Sequence, residues 1–151
     1  MRHEIEQRQR WMAILARASR EELELAYADL AVDLDFRWLR MPESGLALVR
    51  GRAGGTGSLF NLGEVTMTRC ALKMSDGTTG FAFILGRDRR RAELAAIFDA
   101  VLRRADEKAA SALQFVVKMG QAQAARRELK SRKAASTKVN FFAMTRGMSP
   151  E

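Results

Sequence analysis

The densest run of residues suited to chemistry is Arg50-Gly51-Arg52-Ala53-Gly54-Gly55-Thr56-Gly57. Glycines let backbone amides approach a ligand with no Cβ in the way, and successive amides in such a turn form a concave donor set for anions. The flanking arginines add paired N–H donors matched to phosphate or phosphonate oxygens. The run is not a P-loop: the Gly-Lys-Ser/Thr ending is missing, and the strand before it leads to another strand. The plain alternative is a hairpin loop with two solvated arginines, and both readings stay open on the residues alone. Phe60-Asn61-Leu62-Gly63-Glu64 follows. Glu64 is the carboxylate nearest the glycines, a candidate acid, base or oxocarbenium stabiliser. Glycosyl chemistry normally uses two positioned carboxylates, and a lone strand-end Glu more often pairs with a nearby Arg.

Two further clusters are basic. Arg87-Asp88-Arg89-Arg90-Arg91 places cations at the start of a helix, the wrong end of its dipole, so they serve either a contact or a solvated cap. Arg126, Arg127, Lys130 and Lys133 share one helical face. Val139-Asn140-Phe141-Phe142-Ala143-Met144 then sets aromatic and sulfur-bearing residues near the chain end. This stretch either folds onto the chain's own core or anchors a partner, because large apolar patches seldom persist on free proteins.

Cys70 and His3 are the only cysteine and histidine. No intramolecular disulfide can form, and a four-ligand zinc site is excluded, so no metal site is expected. A Cys70–His3 catalytic pair would depend on a frayed N-terminus. Cys70 reads as a small buried apolar residue in a strand.

The elements that must position these residues follow from composition and period. The chain has 151 residues, 47% hydrophobic and 29% charged, which is the make-up of one globular domain over residues 1–151. No apolar run approaches the roughly 20 residues of a membrane span, and the first residues do not form a signal peptide, so a cytoplasmic protein is expected. The net charge of +8 is uneven. Residues 118–151 hold eight Lys and Arg against Glu128 and Glu151, a net of +6. Such asymmetry points to an anionic ligand, nucleic acid or an acidic protein surface.

Apolar spacing from Ile5 to Leu15 is helical, and Ser19-Arg20-Glu21-Glu22 is a capping box that opens a second helix through Leu30. The period then changes. Residues 36–41 begin a strand, Pro42 to Gly45 mark a turn, and residues 46–52 form a strand with Leu46, Leu48 and Arg50 on one face. Residues 53–63 read as a loop. Residues 64–73 alternate, with Val65, Met67, Arg69, Ala71 and Lys73 opposite Thr66, Thr68, Cys70 and Leu72. Ser75-Asp76-Gly77 is a hairpin turn returning residues 79–85 as the partner strand. Asp88 caps a helix from Arg89, a further helix, or a strand followed by a helix, covers residues 109–133, and residues 137–144 are apolar and β-prone. The expected class is α+β: an antiparallel sheet of three to five strands, an N-terminal helix pair and C-terminal helices, with a basic and apolar segment at 126–147.

Together, several segments resemble the G subunit of the bacterial carbon–phosphorus lyase system, the PhnG family. They are Arg8-Gln9-Arg10-Trp11-Met12, the glycine run, Phe60-Asn61-Leu62-Gly63-Glu64, Thr68-Arg69-Cys70, Leu85-Gly86-Arg87-Asp88, Arg132-Lys133-Ala134-Ala135 and Thr137-Lys138-Val139-Asn140-Phe141-Phe142. The resemblance implies a core complex with H, I and J subunits, built around paired G and I subunits. With H, I and L it implies conversion of ATP and methylphosphonate into alpha-D-ribose 1-methylphosphonate 5-triphosphate and adenine, a transferase reaction. The nucleosidase centre is assigned to I. The J subunit cleaves the carbon–phosphorus bond with an iron–sulfur cluster and S-adenosylmethionine, and this chain lacks the cysteines for such a cluster. It implies no cofactor on this chain, ATP with Mg as a substrate of the complex, and I as the nearest partner. On that basis Arg50, Arg52, Gly54, Gly55, Thr56, Gly57 and Asn61 are a substrate-anion or interface loop, and Glu64 is a weak catalytic candidate. Arg132, Lys133, Val139, Phe141, Phe142 and Met144 are partner-docking candidates. The alternative function, a basic nucleic-acid-binding module, lacks interleaved stacking aromatics, a zinc finger, an RNP motif and a clear helix-turn-helix, so nucleic acid is not the expected partner.

Overall fold

The computed structural model describes residues 1–30 and 34–147, with side chains as far as residue 138. The elements are α1 (Arg2–Arg17), α2 (Arg20–Leu30), β1 (Phe36–Arg52), a single 3-10 turn (Ala53–Gly55), β2 (Leu59–Met74), β3 (Thr79–Leu85), α3 (Arg89–Leu102) and α4 (Glu107–Gly147). The chain forms two compact units, Met1–Val116 and Val117–Glu151. The fold is α+β, as expected. Its sheet is a three-stranded antiparallel meander in the order β1-β2-β3.

In the first unit α3 is the centre. Its residues from Leu94 to Leu102 are all buried, Asp99 among them, the pattern of a helix enclosed on every side. One side takes the inward face of the sheet, with Cys70, Leu72, Ala82 and Ile84 buried. The α1–α2 pair packs against α3 through the buried Trp11, Leu15, Leu23, Ala26 and Leu30. Strand β3 presses so close to α3 that a Cβ on Gly80 would fall on the Ala96 carbonyl oxygen and within 2.8 Å of Ala100 Cβ. The first turns of α4 add Ala109, Ala112 and Val116 to the buried set, and Lys108 Nζ donates to the Leu30 carbonyl at 2.7 Å.

Local signals hold where a short segment can satisfy itself. The capping box forms in both directions: Ser19 N donates to Glu22 Oε2 at 2.8 Å, and Glu22 N to Ser19 Oγ at 3.1 Å. Asp88 caps α3 by accepting from Arg91 N at 3.0 Å. The β2–β3 turn closes with Gly77 N donating to the Met74 carbonyl and Gly77 at φ 91°. That left-handed position is why glycine stands there.

Three expectations are corrected. No turn breaks the chain at Pro42–Gly45: β1 runs through from Phe36 to Arg52, with register shifts between Trp38 and Arg40 and between Arg40 and Glu43. β1 is an edge strand, and edges and bulges are where a strand tolerates a residue without an amide. The loop expected at 53–63 is shorter, because β2 already starts at Leu59 and pairs with Arg52. The β-prone run at 137–144 continues α4 as helix. Backbone hydrogen bonds carried forward from the Ala-, Gln-, Lys- and Arg-rich residues before it outweigh its weak strand preference.

Candidate functional site

Pairing with β3 covers only Met67–Lys73 of β2, whereas β1 follows β2 all the way from Met74 to Leu59. Residues 46–52 and 59–65 therefore extend past β3 as a two-stranded arm, with the glycine run at its tip. Thus the structure brings together Arg50, Arg52, Gly54, Gly55, Thr56, Gly57, Asn61 and Glu64 on one protruding element. Arg50 lies opposite Asn61, Arg52 opposite Leu59, and Glu64 opposite Leu48. A register shift between Val49 and Arg50 leaves Leu62 as the extra residue of a bulge.

The tip is a tight turn. Gly54 at φ 63° and Gly55 at φ 77° occupy the left-handed region. Gly57 is needed for space: a Cβ there would meet the Ala53 carbonyl oxygen. That oxygen accepts from both Thr56 N and Gly57 N, the latter at 2.8 Å. Two of the tip amides are consequently spent within the turn, which shifts the weight of any anion contact onto the arginines. Arg52 reaches back only to the Gly57 carbonyl, at 3.5 Å. Arg50 and Glu64 are exposed and, among the described residues, neither forms an ion pair. The expected Glu–Arg pairing is not formed among the described residues, although Glu64, opposite Leu48, is a diagonal neighbour of Arg50.

Two hollows flank the base of the arm. One, of about 500 Å³, is lined by Glu43, Ser44, Gly45, Leu46, Ala47, Met67, Arg69 and Phe83. Glu43, which sequence reasoning passed over, accepts there from Arg40 at 2.6 Å and Arg69 at 2.8 Å. Those hydrogen bonds, Arg40's first, hold its carboxyl below the usual carboxylate range. A carboxylate so clamped is a weak base, and its role is to fix the strands where the arm leaves the sheet. The second hollow, of about 380 Å³, is lined by Ser44, Gly45, Leu46, Thr66, Arg87 and Arg89.

The Arg87–Arg91 cluster divides by role. Arg90 binds Glu24 with both ends of its guanidinium, at 2.8 and 3.1 Å, and Arg91 donates to the Leu85 carbonyl at 2.8 Å. Arg87 and Arg89 stay exposed at the hollow. In the second unit, Arg132 pairs with Glu128 at 2.7 Å along the helix, and Lys133 is exposed. The side chains of Val139, Phe141, Phe142 and Met144 lie outside the described residues.

Cys70 is buried, as expected of a strand interior; its thiol donates to the Ala92 carbonyl at 3.3 Å, and burial pushes its pKa up to about 12. Such a thiol is no nucleophile at neutral pH. Sequence reasoning also missed Asp99. Fully buried, it accepts from Arg8 Nε at 3.2 Å, Arg8 Nη2 at 2.8 Å, Trp11 Nε1 at 2.8 Å and Phe81 N at 3.0 Å. The available signal was a lone Asp within the otherwise apolar core of α3. Among the described residues no group of three or more His, Cys, Asp or Glu is arranged to hold a metal, and no helix is long and apolar enough to cross a membrane.

Comparison with known proteins agrees with this picture. A family described as "Phosphonate metabolism protein PhnG" matches residues 6–147. A relative from Rhizobium meliloti (strain 1021), named alpha-D-ribose 1-methylphosphonate 5-triphosphate synthase subunit PhnG, is 40% identical over 147 residues. That similarity covers 95% of this chain and 91% of the relative. These matches establish that the chain belongs to the PhnG family of phosphonate metabolism proteins.

Proposed function

We propose that this chain is a subunit of the carbon–phosphorus lyase core complex of phosphonate catabolism. With H, I and L subunits it forms alpha-D-ribose 1-methylphosphonate 5-triphosphate and adenine from ATP and methylphosphonate. The observation that carries this reading is the near full-length identity of 40% to a subunit of that synthase. The chain is thus part of a transferase without being an enzyme alone. It works in the cytoplasm in paired copies, lies closest to the I subunit and shares the complex with J. ATP, with Mg, is a substrate of the complex, and this chain holds no cofactor of its own.

The chemistry sets the demand on the residues. A phosphonate oxygen must attack the ribose anomeric carbon of a nucleotide that carries a triphosphate, so two anions are brought together. Fixed cationic donors offset that repulsion and orient the reactants. Arg50 and Arg52, neither in an ion pair among the described residues, stand at the tip for an anionic group across a subunit boundary, and Gly54, Gly55, Thr56, Gly57 and Asn61 shape the turn that presents them. Glu64 is the only carboxylate of residues 46–65. With no second carboxylate beside it on the arm, the bond-making centre belongs to a companion subunit. The segment from Arg132 through Met144 serves as a second contact with the complex.

Co-expression with the H, I and L subunits, followed by an assay for adenine released from ATP and methylphosphonate, tests the proposal. Release is expected only when this chain is included. Equal release without it, or turnover by the purified chain alone, would overturn the reading.

A further inference from the structure

The arm carries more than its tip. We propose that its whole length is a docking blade, gripped on both faces by a cleft in a companion subunit of the synthase. The cleft is apolar in its depth and bears carboxylates where it meets Arg50 and Arg52. This inference rests on the reading of the chain as a synthase subunit.

The faces of the arm carry the argument. Leu46 and Leu48 share a face with Arg50, and Leu59 lies on that face opposite Arg52. Phe60 and Leu62 crowd over Gly51 on the reverse: a Cβ at Gly51 would come within 2.9 Å of Leu62 Cδ1 and 3.5 Å of Phe60 Cζ. Leu46 is 69% exposed, Leu62 61% and Phe60 46%. Large apolar side chains therefore stand in water on both sides of a two-stranded ribbon. An isolated ribbon is marginally stable in water, and contiguous apolar patches on soluble chains mark contact surfaces. A groove covering one face would leave the other wet, so the occupant must have two walls.

Size and charge narrow the partner. Seven residues per strand give an arm about 24 Å long and about 10 Å wide. Two such faces offer on the order of 500 Å², most of the roughly 800 Å² that each side contributes to a stable interface. Among the described residues Arg50 and Arg52 form no ion pair, and Glu64 is the sole acid of residues 46–65. A second copy would set cationic tip against cationic tip or against a chain of net charge +8. A different subunit with acidic groups at the cleft mouth is the complementary match.

The test is co-purification of the full-length chain with co-expressed H, I and L subunits. It compares wild type with Leu48→Asp/Leu62→Asp and Arg50→Glu/Arg52→Glu. The substituted side chains lie outside the core, so the thermal midpoint of the isolated chain should stay unchanged. Each pair should lower the assembled fraction at least tenfold, and the loss from the arginine pair should shrink as salt rises. Variants with an unchanged midpoint that assemble as wild type would overturn the proposal. A wild-type chain that dimerises alone, through contacts removed by Leu48→Asp/Leu62→Asp, would put a second copy in the cleft's place. A complex that assembles through the arm yet releases no adenine would sink the functional reading and leave the docking intact. Failure of the wild type to assemble would sink both.

Discussion

Asp99 shows how much one side chain can organise. Its two oxygens take four hydrogen bonds from α1 and β3, so a single buried carboxylate fastens three elements. The hydrogen bond to Asp99 also raises the Arg8 pKa, and Arg8 is close enough to the Phe81 ring for a cation–π contact at 5.6 Å. In Asp99→Asn an amide nitrogen would face donors, leaving at least one of them unsatisfied. With Arg8 still partly solvated, the loss should be about 2–3 kcal/mol in urea unfolding. Cys70 makes a second prediction. Its thiol is raised from 9.0 to about 12, so its contribution to stability is complete below pH 9 and is lost as pH rises through about 12. At pH 8 a thiol reagent should label the native chain at least a hundredfold more slowly than the urea-unfolded chain. The depressed carboxyls run the other way. Glu43, held by Arg40 and Arg69, and Glu24, held by Arg90, stabilise above the ordinary carboxylate range and lose that effect as pH falls through their lowered values. Neither Asp99 nor Glu43 was legible beforehand, since their donors come from residues up to 91 positions away.

At the scale of elements, caps and turns were readable because they close within a few residues. Ser19→Ala should cost about 1 kcal/mol, since it removes one half of a reciprocal cap. β1 was misread at Pro42 because a missing amide breaks a central strand and does not break an edge. Gly80 is the opposite case: nothing nearby in sequence demands a glycine, and its reason is the α3 backbone lying against it. Gly80→Ala should cost about 3 kcal/mol, the upper part of the range for overpacking, and circular dichroism during urea titration would measure it. A cost under 1 kcal/mol would mean that β3 and α3 can separate freely.

For the whole molecule, stability is divided unequally. The α3-centred core holds the first unit together, while the arm has two strands, exposed side chains and no third strand to shield its hydrogen bonds. Backbone amides in such a segment open locally at low free-energy cost. In hydrogen exchange, amides of residues 46–52 and 59–65 should exchange early in the isolated chain, and assembly should protect them at least tenfold. Slow exchange in the free chain would show that the arm is stable without a companion.

The residue order carried the class of fold, the helix starts, the β2–β3 hairpin and the glycine run, because each is written within a short window. The spatial role of that run was not so written. Whether Gly54 to Gly57 formed an anion cradle or a turn depended on where the Thr56 and Gly57 amides went, and they went to the Ala53 carbonyl. The early end of β3 decided that Leu46, Leu48, Phe60 and Leu62 stand out in solvent. Burial is a property of what lies alongside in space, and the order of residues along the chain does not specify it.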